Sequence, residues 1–166
     1  YWIFSADGMA TEFNLTNAKS QHKMDLKLGR SNETRFYDVS SSAPMHRVVL
    51  AQSRVGVSIW SVETEDWIAN YDKHGAAVVF AVDISDAQNL VASGDTDGAV
   101  HVWDIQNLET IATRRFDTGG ISDIAWHPRF PVLAASTDFG GAVVWNHETG
   151  EDIIAIDRSG LPVPAI

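Results

Sequence analysis

The 166-residue sequence is 45% hydrophobic and 20% charged, holds no cysteine, and carries a formal net charge of −10. That composition belongs to an ordinary globular domain; it excludes a disulfide framework and a thiolate metal centre, and no apolar run is long enough to span a bilayer. The charge is lopsided: residues 1–75 hold eight Lys/Arg against nine Asp/Glu, and residues 76–166 hold four against thirteen. An acidic half of this kind repels phosphate backbones and favours basic partners, so protein partners are expected and nucleic acid is not. The absence of cysteine and of a secretory leader pattern fits an intracellular setting, cytoplasmic or nuclear.

The chain opens on a β-type run, Tyr1-Trp2-Ile3-Phe4, followed by a second run through Phe13. Residues 17–28 admit a helical reading, but their polarity and place favour an outer strand with a loop. From there four kinds of strand recur. A first strand is marked by the columns Phe36, Val79, Ile121, Val163 and Val39, Val82, Ile124, Ile166. A second covers residues 48–51, 90–94 and 132–136. A third ends on Trp60, Trp103 and Trp145, and an outer fourth runs through Ile68, Ile111 and Ile153. Period-two alternation makes these strands. Asp, Gly and Ser between the second and third supply hairpin turns, because Asp-Gly tolerates positive φ.

The third-strand segment is a repeat. Asp97-Gly98-Ala99-Val100-His101-Val102-Trp103-Asp104-Ile105 recurs as Gly140-Gly141-Ala142-Val143-Val144-Trp145-Asn146 and as Val55-Gly56-Val57-Ser58-Ile59-Trp60-Ser61-Val62. A fainter copy surrounds Phe13. The marking aromatics Phe13, Trp60, Trp103 and Trp145 are 47, 43 and 42 residues apart. Four short strands in a unit of that length make a propeller blade.

These residues resemble the WD-repeat family over essentially the whole chain, most closely over residues 76–157. The resemblance implies an all-β, WD-repeat β-propeller of four-stranded antiparallel blades, part of a seven- or eight-bladed ring. On this reading residues 1–30 are an incomplete blade, 31–75, 76–118 and 119–159 are blades, and 160–166 form the first strand of a following blade. The missing blades would come from the same longer polypeptide or from a second copy. The family's blades share a hydrogen-bonded set of His, Ser or Thr, Asp and Trp. Ser93, Asp97 and Trp103 match it, His74 lies about one residue out of register, and Asp117 falls at the His place of the next blade.

Catalytic motifs are missing: there is no nucleophile elbow, phosphate loop or His-Glu-x-x-His pattern. The six histidines show no ligand spacing and are expected on loops or strand surfaces. Asp95-Thr96-Asp97-Gly98 is expected to be a turn rather than a calcium loop, because a strand-like run follows. Asp83, Asp86 and Asp123 are in or near first strands and could line a rim. No catalytic residue, cofactor or metal is expected.

Binding residues are sought in the outer strand and the loops. One column reads Ser20, Trp67, Thr110, Asp152 and is expected to face solvent; the next reads Gln21, Ile68, Ile111, Ile153 and is expected to be buried. An exposed Trp67 would be an interface anchor, and the loop pair Arg129-Phe130 is a second candidate. Trp2 and Trp126 are expected in the core, and Arg114-Arg115 in a surface salt bridge. The expected function is a non-catalytic scaffold mediating protein–protein interactions within a larger complex. The alternative is an adaptor that recognises a motif and delivers its target to a ubiquitin ligase or chromatin modifier.

Overall fold

A computed structural model describes residues 2–4, 9–14, 19–25, 35–53, 56–156 and 162–163. The regular structure among them is all strand. The first sheet holds β1 (Trp2–Phe4), β2 (Met9–Asn14) and β3 (Lys19–Asp25). Residues 19–25 are thus an outer strand rather than a helix. The second holds β4 (Phe36–Ser42), β5 (Arg47–Gln52), β6 (Gly56–Ser61) and β7 (Asp66–Tyr71). The third holds β8 (Val79–Ser85), β9 (Leu90–Asp95), β10 (Ala99–Asp104) and β11 (Thr110–Arg115). The fourth holds β12 (Ile121–Trp126), β13 (Val132–Thr137), β14 (Ala142–Asn146) and β15 (Asp152–Ile156). Every sheet is an antiparallel meander in chain order. Among the described residues no helix is long and apolar enough to cross a membrane.

The last strand departs from expectation. Residues 162–163, expected to begin a following blade, form β16 (Pro162–Val163), which pairs with Ala155 and Ile156 of β15. The edge of an outer strand offers unpaired N–H and C=O groups, and this short segment takes them.

The second, third and fourth sheets stack face to face, with β4, β8 and β12 as successive inner strands, each touching the next. Val49, Ala51, Val57, Ile59 and Tyr71 of the second sheet close on Val79, Val82, Val91 and Trp103 of the third. The other face of the third sheet presents Ala81, Ala92, Val100 and Val102 to Ile121, Leu133, Val143 and Trp145 of the fourth. A sheet covered on both faces needs apolar or small residues throughout its centre, and β9 is buried at every position. Each buried Val, Leu or Ile contributes about 1.5–3 kcal/mol. Gly94 lets the third and fourth sheets approach: a Cβ there would lie 2.4 Å from Ile121 Cγ2.

Two bulges repeat in the blades. The inner strand bulges at Tyr37, Phe80 and Ser122, each an extra residue opposite the second strand. The outer strand bulges beside the marking aromatic: Trp60 pairs with Trp67 and Ile59 with Ala69, leaving Ile68 over, and Ile111 and Ile153 are left over likewise. An extra residue breaks the period-two alternation and turns the faces over. The second column is therefore exposed rather than buried, while in the first Thr110 stays exposed as expected. Ile68, Ile111 and Ile153 are 50%, 52% and 55% exposed rather than buried. Trp67 is half-buried rather than solvent-facing, edge-on to Trp60 with ring centroids 5.0 Å apart.

Candidate protein-docking surfaces

The platform is built at the seams between blades. In the third blade the Trp103 indole N–H donates to Ser93 Oγ at 3.0 Å, and Ser93 Oγ lies 2.7 Å from His74 Nε2. His74 Nδ1 lies 2.6 Å from Asp95 Oδ2. One direction satisfies every group: indole to hydroxyl, hydroxyl to Nε2, Nδ1–H to carboxylate. All four residues are buried. The carboxylate in this set is Asp95, not Asp97, and His74 takes part. Asp97 is exposed, and its amide donates to Asp95 Oδ1 at 2.9 Å, as does that of Ala99. The first Asp of Asp95-Thr96-Asp97-Gly98 points inward because its own turn supplies those amides. Burial pushes the Asp95 carboxyl up, but the His74 hydrogen bond and these amides outweigh it and hold it below the ordinary value.

A second layer joins this set to the blade before it. Tyr71 stacks on Trp103 with centroids 4.3 Å apart, and its hydroxyl lies 2.6 Å from Thr110 Oγ1 and 2.9 Å from His101 Nδ1. His101 in turn stacks on His74 at 4.0 Å. Burial, reinforced by the adjacent His74 and only partly opposed by Asp95, pushes His101 down to about 4. Sequence spacing alone gave no sign of this stack.

The next seam uses the same positions differently. Phe116, buried in the core, stands where His74 stands one repeat earlier, and Asp117 beside it is exposed. Ala135 replaces Ser93 and Thr137 replaces Asp95. Thr137 Oγ1 accepts the Gly141 amide at 3.1 Å, as Asp95 accepts that of Ala99. Trp145 is left with its indole nitrogen buried and without a partner among the described residues. Arg114 and Asp152 replace Tyr71 and Thr110 and form an ion pair of 2.5 Å, with Arg114 also 5.3 Å from the Phe116 ring. His147 is buried rather than superficial, bonded to Gln88 Oε1 at 2.8 Å, and burial lowers its pKa against the pull of Glu148.

Carboxylates tie the inner strands. Asp38 accepts the Val82 amide at 2.9 Å and Asp83 accepts the Trp126 amide at 2.8 Å, each from the following blade. The Trp126 indole also donates to Asp83 O at 3.1 Å. Burial raises the Asp38 pKa, its amide bonds oppose the rise, and the charges of Asp123 and Asp83 add to it. Among the described residues no three His, Asp or Glu side chains gather as a metal site.

Of the loop candidates, Arg129 and Phe130 lie between β12 and β13. His127 Nδ1 accepts both of their amides at 3.1 Å, and Phe130, 59% exposed, tilts over the imidazole at 4.7 Å. Trp67 belongs instead to the margin of the core with Val48, Leu50 and Trp60. Trp2 has no described side chain.

Residues 66–104, from β7 to the marking Trp103-Asp104, match the family described as "WD domain, G-beta repeat". That match supports the resemblance to WD-repeat proteins carried by the repeated Trp motif. Protein transport protein Sec31A of Gallus gallus is 36% identical over 99 residues, 57% of this chain and 8% of that protein. Angio-associated migratory cell protein of Homo sapiens is 30% identical over 93 residues, 56% of this chain and 21% of that protein. These matches take in less than a quarter of either relative's length. A chain in a crystal structure of the mitotic checkpoint complex superposes with a TM-score of 0.71 at 17% identity, over 92% of this chain and 46% of that one. That likeness is one of fold. WD repeats as a family are generally non-catalytic and serve protein–protein interaction.

Proposed function

We propose that this WD-repeat chain is a non-catalytic scaffold that holds protein partners together within a larger complex. The observation that carries the reading is an exposed Arg129–Phe130 loop mounted on blades that are cross-linked through their cores and inner strands. A rigid base keeps the aromatic anchor ordered before a partner arrives, which lowers the entropy cost of docking. The acidic residues of the second half suit basic partner surfaces. Further blades of the same longer polypeptide are expected to cover the outer face of the fourth sheet. Ala134 is exposed there, although its counterpart Ala92 in the third sheet is fully buried.

The test compares the chain with a variant carrying Arg129→Glu and Phe130→Ser as baits, using quantitative mass spectrometry of captured proteins. A defined set of proteins should fall at least fivefold with the variant, and their capture should weaken as salt rises. Identical captured sets would remove this loop as the docking surface.

A further inference from the structure

The two seams between described four-stranded blades are not equally filled. Between the second and third blades, Met45, Ile59, Ala69 and Ile105 line an open groove of about 470 Å³, with Arg47 in its wall and Ile68 at its rim. Ile59 and Ile105 are buried and form its floor, while Ile68 projects because it is the extra residue of the outer-strand bulge. One repeat further on, Gln88, His147 and Leu90 hold the positions of Met45, Ile105 and Arg47. There the His147 Nε2 to Gln88 Oε1 contact of 2.8 Å ties the two blades across the gap. No such tie joins Met45 to Ile105, whose side chains cannot hydrogen-bond to one another.

Arg47 is half-buried and steered by its contacts with His46 O at 3.1 Å and Ser61 Oγ at 3.3 Å through Nη1. Among the described residues it forms no ion pair with a carboxylate. The groove therefore couples an apolar floor to a positioned, uncompensated guanidinium, and its volume lies within the ~300–1,000 Å³ typical of ligand clefts.

We propose that this groove binds a short extended segment of a partner protein in which an aliphatic side chain lies next to an Asp or Glu. The aliphatic group enters between Met45 and Ile105, and the carboxylate meets the Arg47 guanidinium, a planar fork suited to carboxylate geometry. The proposal shares with the scaffold reading only the assumption that the ligand is a protein segment.

The test is a random heptapeptide display library selected on the immobilised chain. It is counter-selected on a variant with Met45→Gln and Ile105→His, which copies the closed seam. Enriched clones should carry Leu, Ile or Met within two positions of Asp or Glu. The most enriched peptide, fluorescein-labelled, should bind the chain saturably and bind Arg47→Glu at least tenfold more weakly. In ¹⁵N-labelled wild-type chain its amide shifts should centre on Met45, Arg47 and Ile68, a readout that needs no variant to fold. Basic or patternless clones, unchanged affinity for Arg47→Glu, or shifts centred elsewhere would each overturn the proposal. Arg129 and Phe130 take no part in this experiment, so its failure leaves the loop assignment to its own test.

Discussion

Ser93→Ala removes the hydroxyl at the centre of the buried network. Ser93 accepts the Trp103 indole N–H at 3.0 Å and meets His74 Nε2 at 2.7 Å, and all three residues are buried. The substitution leaves two buried polar atoms unsatisfied, each costing about 1–3 kcal/mol, and opens only an oxygen-sized space. The expected loss of unfolding free energy is about 2–4 kcal/mol, read as a lower urea midpoint at unchanged slope. The fourth blade supplies a control, since it carries Phe116, Ala135 and Thr137 at the places of His74, Ser93 and Asp95. Adding His74→Phe and Asp95→Thr to Ser93→Ala makes the third blade apolar like its neighbour. This should recover at least half of the loss, because the imidazole and carboxylate that needed partners are gone and only the Trp103 indole N–H stays unsatisfied, as in Trp145. A single substitution costing under about 0.5 kcal/mol, within the range of ordinary surface changes, would refute the reasoning. So would a triple variant less stable than the single one.

Ala135→Ser should run the other way. It offers the unpartnered Trp145 indole nitrogen an acceptor and should raise the urea midpoint by about 0.5–1.5 kcal/mol equivalent. Stability should also fall on mild acidification. His101 is held down to about 4 against an ordinary 6.5, so its contribution is complete above pH 6.5 and is lost as the pH drops from there toward 4. The ring is only half-buried, so the loss is about 1–2 kcal/mol, and His101→Gln should flatten that limb of a stability–pH curve. Asp95, lowered in the folded chain, adds a second loss below the ordinary carboxylate value of 3.8. Asp152→Thr alone should cost about 1–2 kcal/mol in thermal or urea unfolding by stranding Arg114, and adding Arg114→Tyr should recover most of it by recreating the Tyr71–Thr110 pair.

The blades were legible because their signals are local. Alternation, Asp-Gly turns and a Trp recurring at 43 and 42 residues needed no tertiary information. Ser93 and Trp103 could be matched by family position alone. Asp95 could not, since two Asp residues compete in one turn and only the backbone decides which turns inward. A carboxylate that accepts the amides two and four residues on was the available signal. The outer strand misled for a different reason. Its alternation is sound on either side of the bulge, but the extra residue at Ile68, Ile111 and Ile153 exchanges the faces, and no residue type announces a bulge. Phe116 was passed over for Asp117 because a polar residue was sought at a place the fold had made apolar. The His101 stack joins side chains that only blade packing brings together.

One repeat thus yields two seams with the same backbone and different chemistry. At the first, polar side chains form the lock: Tyr71 reaches forward to Thr110 and His101, and the His74 network lies directly beneath. At the second, Phe116 and Ala135 make the lock apolar, and the forward reach passes to the Arg114–Asp152 ion pair. Both keep neighbouring blades in register, so rigidity does not dictate which chemistry a seam must use. The periphery is freer still, because Met45 and Ile105 can stay apart where Gln88 and His147 join. A seam already locked through its core can leave an outer groove open at little cost in stability. Filling that groove with Met45→Gln and Ile105→His should therefore leave the urea midpoint near wild type while abolishing peptide capture. A large destabilisation would instead mean that the groove's apolar walls hold the blades together.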